Sequence, residues 1–449
     1  MTDLAPHVER HIESAIANLA TLVAFPSIAA DQTTKMDDCV AFLEAQLADL
    51  GGAVQVLRLP GARPLVFAEI PGRSPRSLLF YQHYDVQPTG PRDLWQSEPF
   101  TLTERDGYMY ARGIADNKGN LAARLAALRV LLDAEGELPL TVRFLIEGEE
   151  EIGSPHLIAY LEQYDHLLRA DGCLWEGGYR DPNGRLTLSL GIKGICKLHL
   201  RVHGPERDLH GKYAPLAKNP ALRLAAALSV LADSDGTVLA PGYYNPVRKP
   251  NEQERIWLDD AAGDVDTMQR EIGLGPMPVN DGRAALERLL YFSGCNVAGF
   301  VAGGVGSEGR NIVPAKAEAA LEFRLVPDQE PESVYGQLTS HLVVNGFDDI
   351  EVSYVHGVLP ARTAPDHPLV PAALGAIEAI YGQPPVVHPN SPGTGPMSNV
   401  CHSRGMAAVA MGVGHPASNT HAPNENIGIN DYRLGIEVVA ELLRRFAEI

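Results

Sequence analysis

The fold is decided by four strand-like apolar runs, VQVLRL (54–59), LVFAEI (65–70), SLLFYQ (77–82) and TVRFLI (141–146), with a helical run, Leu121–Ala134, before the last of them. Strands that alternate with helices in this way predict an α/β fold, in which a mainly parallel sheet is flanked by helices. Further amphipathic helices are predicted over residues 7–24, 36–50 and 431–446.

The sequence changes character near residue 191. Beyond this point the predicted elements are a strand at 197–204, a helix at 219–233, a strand at 315–327, a helix at 330–345 and a strand at 350–355. Apolar residues alternate along these strands. The order and the alternation predict a smaller α+β domain of the ferredoxin-like type, with one exposed sheet face.

The two kinds of sequence are nested, because the α/β character returns near residue 365. We therefore predict one large domain made of residues 1–191 and 364–449, into which residues 192–363 are inserted. Within the insertion, residues 236–290 combine Pro- and Gly-rich turns with one charged helix. This segment is predicted to be a lid or a packing insertion rather than a third core.

Composition excludes several classes of partner. The 449 residues are 45% hydrophobic, enough for two cores, and the formal net charge of -19 gives a field that repels phosphate backbones and anionic lipids. Because of this charge, neither nucleic acid nor a membrane surface is expected as a partner. A membrane span is not expected either, since no run approaches the roughly 18 apolar residues that a span requires. Five scattered cysteines without a CxxC pair indicate neither a disulfide framework nor a cysteine zinc site, so a cytoplasmic location is expected.

Acidic and histidine side chains follow several of the strand-like runs. His83 and Asp85 follow the third run, Asp116 lies in a loop bounded by glycines before the helical run, and Glu149–Glu151 follow the fourth run. Because the carboxyl ends of parallel strands meet at one crevice, these side chains are expected to converge there.

Each of these features also has a purely structural explanation. The His83 and Asp85 pair could be a polar strand end, Asp116 could cap the following helix, and the acidic run could be a solvated turn. As a set, however, five imidazole and carboxylate donors suffice for two cations that share the two oxygens of one aspartate. The set predicts a metal-dependent hydrolase, and its members are His83, Asp116, Glu151, Glu176 and His421.

Six motifs resemble those of one enzyme family, in the same order over nearly the whole chain. They are HYDVQP (83–88), ARGIADNKG (111–119), EGEEEIGS (147–154), RDLH (207–210), FRLVP (323–327) and THAPNENI (420–427). The family is that of the binuclear zinc peptidases, which includes carnosinase, carboxypeptidase G and the acetylornithine and succinyl-diaminopimelate deacylases. The resemblance implies a homodimer, in which the inserted domain serves for dimerisation or as a lid.

The resemblance also implies how two metal ions would be held. His83 and Glu176 would bind one metal, Glu151 and His421 would bind the other, and Asp116 would bridge the two. The metals would be zinc, with manganese or cobalt as alternatives. The position of Glu176 is aspartate in many dipeptidases and glutamate in carboxypeptidase-like members, so this residue leaves the substrate class open.

Two residues next to the predicted ligands are implied to act in catalysis. Asp85 would orient His83, and Glu150 would be the general base that takes a proton from the metal-bridging water and delivers it to the leaving amine. The peptide bond from Asp116 to Asn117 would be cis, as in similar proteins.

The small domain is implied to contribute further site residues. His210 resembles a histidine that reaches the active site of the partner subunit and stabilises the oxyanion. Three residues resemble groups that hold the C-terminal carboxylate of the substrate or line its pocket, namely Arg324, Asn311 and Thr394. Arg324 could instead form a strand-end salt bridge, and Asn311 could form a turn. After His210 the run Gly211–Ala214 departs from the family pattern, so the shape of this loop is open.

The glycines of AGGVGSEGRN match the GxGxxG pattern at Gly304, Gly306 and Gly309. A strand-like alternation follows them, where a dinucleotide site needs a helix, so we predict no such site. The leading prediction is a metal-dependent dipeptidase or carboxypeptidase-type exopeptidase, which hydrolyses an amide bond near a free carboxylate in a small peptide. The alternatives are a deacylase of N-acyl amino acids on the same fold and a catalytically idle scaffold or binding protein.

Overall fold

A computed structural model describes residues 3–31, 33–34, 36–279 and 281–449. The helices within these residues are α1 (Ala5–Val23), α2 (Asp37–Asp49), α3 (Gly119–Glu135), α4 (Leu157–Gln163), α5 (Pro220–Leu231), α6 (Glu252–Ala261), α7 (Val265–Glu271), α8 (Gly282–Tyr291), α9 (Pro331–Val344), α10 (Leu369–Tyr381), α11 (Met397–Val400) and α12 (Ile429–Glu448). In this part of the chain, none of the helices combines the length and the apolar character that crossing a membrane requires.

The strands are β1 (Ala53–Leu57), β2 (Leu65–Ile70), β3 (Gly72–His83), β4 (Thr103–Arg105), β5 (Tyr108–Tyr110), β6 (Leu138–Glu147), β7 (Cys173–Trp175), β8 (Thr187–Ser189), β9 (Gly191–Ile192), β10 (Gly194–His203), β11 (Leu209–His210), β12 (Cys295–Val301), β13 (Ile312–Val313), β14 (Lys316–Leu325), β15 (Glu351–Val358), β16 (Ala361–Arg362), β17 (Val386–His388), β18 (Ala408–Ala410) and β19 (Asn426–Gly428). The predicted strands and helices of both sequence types are all found among these elements.

The large sheet has the strand order β1-β2-β6-β3-β7-β18-β8-β17. Its centre is parallel, because β6, β3, β7 and β18 run in one direction, and β8 and β17 also pair in parallel. The pairs β1–β2, β2–β6 and β18–β8 are antiparallel. The mainly parallel sheet predicted from the sequence is therefore confirmed.

The central strand β3 is buried on both faces because helices cover both sides of the sheet. Leu78 and Phe80 point into a core with α1, α3, α10 and α12. Leu79 and Tyr81 point to the opposite side, into a core that includes residues of α4 and α11. Successive residues of a strand face opposite sides, so a run that is apolar throughout suits a strand between two helical layers.

The second sheet has the order β12-β14-β10-β15, and its neighbouring strands are antiparallel. With α5 and α9 packed on one face, the chain order of strands and helices is that of a ferredoxin-like domain. Cys196, Leu198 and Leu200 of β10 face these helices, whereas Lys197 and His199 lie on the other, open face. The exposed face expected from the sequence is therefore present.

Two connections join the part of the chain that forms the small sheet to the part that forms the large one. They run side by side, because β9 and β16 pair antiparallel with Ala361 opposite Ile192 and Arg362 opposite Gly191. The predicted domain boundaries, at residues 191 and 363, fall beside this two-stranded ribbon. The division of the chain into these domains remains our proposal.

The segment between α5 and β12 is more helical than the sequence indicated. One charged helix was expected within residues 236–290, and three helices, α6, α7 and α8, are present. Leu258, Leu286 and Leu290 form a small core that also packs against Val386 of β17, at the edge of the large sheet. The segment therefore packs on the large sheet as well as linking two elements of the small one.

Candidate active site

Five elements bring the predicted metal ligands to the carboxyl edge of the large sheet. His83 ends β3, Asp116 lies in the helical turn before α3, and Glu151 lies in the turn after β6. Glu176 directly follows β7, and His421 lies in the loop before β19. The parallel strands thus converge as the sequence analysis expected, because their ends share one edge.

Asp116 lies between the two histidines and presents a different oxygen to each. Its Oδ1 is 3.0 Å from Nε2 of His83, and its Oδ2 is 3.2 Å from Nε2 of His421. A carboxylate that turns one oxygen to each of two imidazoles has the arrangement of a shared ligand.

The remaining two carboxylates complete one set on each side of Asp116. Glu176 Oε2 lies 3.6 Å from His83 Nε2, and Glu151 Oε2 lies 3.1 Å from His421 Nε2. Donor atoms of His83, Asp116 and Glu151 all lie within 4.8 Å of one another. The pairing of a histidine with a glutamate on either side of Asp116 is the grouping that the resemblance implied.

These residues fit a pair of divalent cations on chemical grounds. Glu176 Oε2 is buried and has no hydrogen-bond partner among the described residues, an arrangement that is costly without a proton or a cation. Burial raises the pKa of Glu176 well above its usual range, and the negative charge of Glu150 raises it further. Imidazole nitrogen and carboxylate oxygen are donors that zinc and similar ions accept.

Asp85 acts on this group mainly through the main chain. Its carboxylate accepts hydrogen bonds from the backbone N–H groups of Glu150, at 3.3 Å, and of Glu151, at 3.0 Å. The Nδ1 atom of His83 lies 3.1 Å from the main-chain oxygen of Asp85 and 3.4 Å from its carboxylate. Asp85 therefore ties the strand end that carries His83 to the turn that carries Glu150 and Glu151.

Glu150 is the carboxylate of this turn that faces open space. It lines a cleft of about 480 Å³ together with Arg324 and Thr394, whereas Glu149 turns away to accept from the N–H of Arg63 at 3.0 Å. Burial raises the pKa of Glu150 to about 7; the charge of His83 opposes this shift and that of Asp116 adds to it. A carboxyl group with this pKa can both accept and return a proton near neutral pH.

A buried carboxylate that was not predicted from the sequence shapes the Asp116 turn. Glu425 is almost fully buried, and its two oxygens accept from the N–H groups of Gly113, Ala115 and Asp116, at 2.8, 2.9 and 3.0 Å. Arg112 donates to the same carboxylate at 2.6 Å. Arg112 and Glu425 belong to the motifs ARGIADNKG and THAPNENI, so the signal was present as two motifs that only the fold brings together.

The peptide bond between Asp116 and Asn117 is cis, as the resemblance implied. Asp116 itself breaks the helical conformation of the turn, with φ of -132° and ψ of 94°. The helical conformation is thus interrupted at Asp116, whose carboxylate lies towards both histidines, and it resumes in α3 from Gly119.

Replacing Glu425 with glutamine should destabilise the protein and loosen the turn that carries Asp116. The NH₂ group of the glutamine would face the N–H donors that now bind the Glu425 carboxylate inside a buried cluster. We therefore expect a loss of about 3 kcal/mol in the free energy of unfolding. Urea unfolding measures this loss. The matched control is Glu98→Gln, which breaks an exposed pair with Arg92 and should change little. Equal stability of the two variants would contradict this role of Glu425.

The predicted substrate residues fall into two groups. Arg324 and Thr394 meet at the cleft, where Arg324 Nη1 donates to Thr394 Oγ1 at 2.8 Å. His210 and Asn311 meet elsewhere, on the short ribbon of β11 and β13, where the N–H of Gly211 donates to the main-chain oxygen of Asn311 at 2.9 Å. Both His210 and Asn311 are exposed, and neither is among the described residues that line the cleft of its own chain.

The glycine-rich run that matches GxGxxG leads into a strand. Gly306 begins a single 3₁₀ turn, and the chain then continues into β13 and β14. A dinucleotide site of this type needs a helix at that point.

A cluster of imidazoles and carboxylates with this arrangement is typical of metal-dependent hydrolases. The sequence profile of Peptidase family M20/M25/M40 matches residues 79–445, which is most of the chain. The chain therefore belongs to peptidase family M20/M25/M40, and it is a hydrolase of the metallopeptidase class.

The proteins similar to this chain include a carboxypeptidase and dipeptidases. The chain is 38% identical to the M20 family metallo-carboxypeptidase Sso-CP2 from Sulfolobus solfataricus, with 97% of this chain and 99% of that chain covered and a TM-score of 0.87. It is 28% identical to the Beta-Ala-His dipeptidase of Rattus norvegicus, over 86% of this chain and 80% of the relative. It is 24% identical to the Cys-Gly metallodipeptidase dug1 of Schizosaccharomyces pombe, over 98% and 97%.

Proposed function

We propose that the chain is a metal-dependent exopeptidase that removes one amino acid from a dipeptide or other small peptide by hydrolysing the amide bond next to a free carboxylate. The observation that carries this proposal is the position of Asp116 between two histidine and glutamate pairs, beside a cleft that Glu150 and Arg324 line. Both dipeptidases and a carboxypeptidase are among the similar proteins, which supports an exopeptidase.

The proposed cofactor is a pair of divalent cations, with zinc first and manganese or cobalt as alternatives. His83, Glu176 and Asp116 would hold one ion, and the second ion would share Asp116 and take the two remaining donors, Glu151 and His421. When bound, such ions supply Lewis acidity for the scissile carbonyl and lower the pKa of water.

Residues of the chain supply the proton transfers in this proposal. Glu150 takes a proton from the attacking water as the new C–O bond forms, and later delivers this proton to the nitrogen of the leaving amine as the amide C–N bond breaks. Asp85 keeps the backbone of Glu150 in place through the hydrogen bond at 3.3 Å. Glu150 lines the same cleft as Arg324, which supports its role beside the substrate.

The free carboxylate of the substrate is assigned to Arg324 and Thr394. A guanidinium can bind a carboxylate with two parallel hydrogen bonds, and Thr394 already accepts from Arg324 at 2.8 Å, which orients the guanidinium. Asn311 is assigned to the same substrate from the partner subunit, because it lies beside His210 on the exposed ribbon.

A homodimer is part of the proposal. His210 is exposed on its own chain, which supports a role for it in the site of a second copy. Strand β12 is an edge of the small sheet and carries three exposed apolar side chains, Val297, Phe300 and Val301. An exposed apolar edge strand is a surface that pairing with another chain would cover.

Mixing two inactive variants should restore activity if His210 acts across the interface. The partners are His210→Ala and Glu150→Gln, each of which we expect to be nearly inactive alone with its metals retained. A mixed dimer contains one site with both native residues, so co-refolded or subunit-exchanged protein should regain about a quarter of wild-type activity at most. Turnover is measured before and after exchange. No recovery in verified mixed dimers would refute the cross-subunit role of His210.

The experiment that tests the proposed function combines metal analysis with a substrate panel. We expect about two metal ions per chain by mass spectrometry, and release of free amino acids from dipeptides that stops on chelation and returns with zinc, manganese or cobalt. Preferential hydrolysis of N-acyl amino acids would favour a deacylase instead. A protein that neither binds metal nor turns over any panel member would be a scaffold, and the proposal would be wrong.

We propose a cytoplasmic location, supported by the odd number and wide spacing of the cysteines. Nucleic acid and membranes remain excluded as proposed partners because of the net charge of -19.

A further inference from the structure

The cleft beside Glu150 has two walls, and their charged groups differ. One wall comes from the large-sheet side, where Leu157 and Ile158 of α4 are apolar and Glu150 carries the only charge among the described residues of this wall. The other wall is the open face of the small sheet, and it presents Lys197, Arg324 and His356. Among the described residues that line this cleft, Glu150 is the only carboxylate.

Lys197 and His356 form a pair on this second wall. They lie directly opposite each other on the neighbouring antiparallel strands β10 and β15. Side chains at such positions project from the same face of a sheet, with Cβ atoms about 5 Å apart. A single anionic group can therefore contact both side chains.

The charges around this pair leave it able to bind an anion. Lys197 Nζ lies 3.5 Å from Glu322 Oε1, and Arg324 Nη2 lies 3.8 Å from Glu322 Oε2. One carboxylate is thus shared by two cations at long distances, and the Lys197 and Arg324 side chains remain 43% and 40% exposed. An ammonium has three donors and a guanidinium five, so both cations keep free donors for a ligand.

We propose that Lys197 and His356 select substrates whose C-terminal residue has an acidic side chain. The inference rests on the proposed function, because it places the α-carboxylate of the substrate at Arg324. The side chain of the same substrate residue then lies along the cationic wall, where an aspartate or glutamate carboxylate meets the Lys197 ammonium and the imidazole N–H of His356. A lysine or arginine side chain in that position meets like charges.

The preference is measured with the metal-loaded enzyme and six dipeptides, namely Ala-Glu, Ala-Asp, Ala-Gln, Ala-Leu, Ala-Lys and Glu-Ala. We expect kcat/KM for Ala-Glu to exceed that for Ala-Gln by about tenfold, mainly through KM, since a charge-assisted contact replaces a neutral one. Ala-Lys should be the poorest substrate of the C-terminal series. Glu-Ala should gain nothing from its acidic side chain, because that group lies on the other side of the scissile bond.

Substitutions assign the preference to the pair. Lys197→Met should reduce the ratio of Ala-Glu to Ala-Gln by about three- to tenfold and leave Ala-Leu within about twofold of wild type. Lys197→Arg should keep most of the ratio, and Lys197→Glu should reverse the order of Ala-Glu and Ala-Lys. His356→Gln should reduce the ratio less than Lys197→Met does.

The matched control is Lys316→Met, which removes a lysine from the same open face of the same sheet. Lys316 pairs with Glu318 at 3.1 Å and is not among the residues that line the cleft. We expect this variant to keep the wild-type ratio. Its thermal midpoint also shows how much stability the loss of one surface lysine removes from this face.

Binding gives a measurement that does not depend on turnover. In the Glu150→Gln background, calorimetry should show Ala-Glu binding about tenfold more tightly than Ala-Gln, and Lys197→Met should remove the difference. Hydrolysis of the panel with a flat ratio would overturn the inference and leave the proposed exopeptidase intact. If Glu150→Gln bound Ala-Glu more tightly but the metal-loaded wild-type enzyme hydrolysed no dipeptide, the role of the pair would be supported and the proposed function would be wrong.

Discussion

Glu150→Gln is expected to lower kcat by about 100- to 10,000-fold, which is the range that general acid–base catalysis contributes. The amide keeps the shape and hydrogen-bonding size of the carboxyl group but cannot take a proton from water. Because Glu150 lines the cleft and is not one of the paired donors around Asp116, metal content should stay at the wild-type value. Steady-state kinetics and mass spectrometry of the metals measure both quantities.

The matched control is Glu162→Gln, an identical substitution at an exposed position near the end of α4. It should leave kcat and metal content unchanged. A Glu150→Gln enzyme with near wild-type kcat would show that another group moves the proton. A large loss of metal in the same variant would instead make Glu150 a metal ligand.

Asp116→Asn is expected to abolish turnover and to lower metal content at the same time. The wild-type carboxylate turns one oxygen to each histidine, at 3.0 Å and 3.2 Å, whereas an amide has one oxygen and a nitrogen that only donates. In the proposed site both metals would lose a shared negative ligand, so we expect kcat to fall by roughly 10⁶-fold, the lower end of enzymatic rate enhancements. This change is larger than that of Glu150→Gln because it removes the cofactor as well as a contact.

Asp49→Asn gives the comparison for this change. Asp49 is exposed at the end of α2 and pairs with Arg129 of α3, and neither is among the proposed site residues, so its loss should leave both activity and metal content unaltered. Mass spectrometry under native conditions counts the ions that each variant retains. Two retained ions in Asp116→Asn would show that Asp116 is not the shared ligand.

The fold was predictable where a local pattern is sufficient to define an element. The second half of β3 contains the apolar run Leu78–Tyr81, which suits a strand with helices on both faces, and this run is visible in the sequence. Strand β12 was missed because its residues are largely exposed and its pairing with β14 is interrupted between Val297 and Gly299, so it lacks apolar alternation. The helices α6–α8 were underestimated because their small core depends on contact with Val386, far away in the sequence.

The candidate site divides in a similar way. Residues at strand ends, such as His83 and Glu176, were predictable because parallel strands deliver their ends to one edge. Glu425 was not, because its partners belong to a turn more than three hundred residues earlier in the chain. The main-chain role of Asp85 was also hidden, since sequence identifies a carboxylate but not the N–H groups of Glu150 and Glu151 that it accepts from. The chemical roles of the assembled residues remain predictions.

The strand order of the large sheet has a consequence for folding of the chain during its synthesis on the ribosome. Strands β7 and β8 pair with β18 and β17, which are made only after the whole small sheet and its helices have been translated. Until then, the amino-terminal part of the sheet holds an open edge at β7, and such an edge is a template for wrong pairing.

We therefore expect chains that stop after the small sheet to aggregate, because β7 and β8 still lack their partner strands. Pausing of translation after residue 363 would lengthen the exposure of β7 and β8. Chaperones that bind extended apolar segments would act on this protein during that interval, before its hydrolytic centre exists.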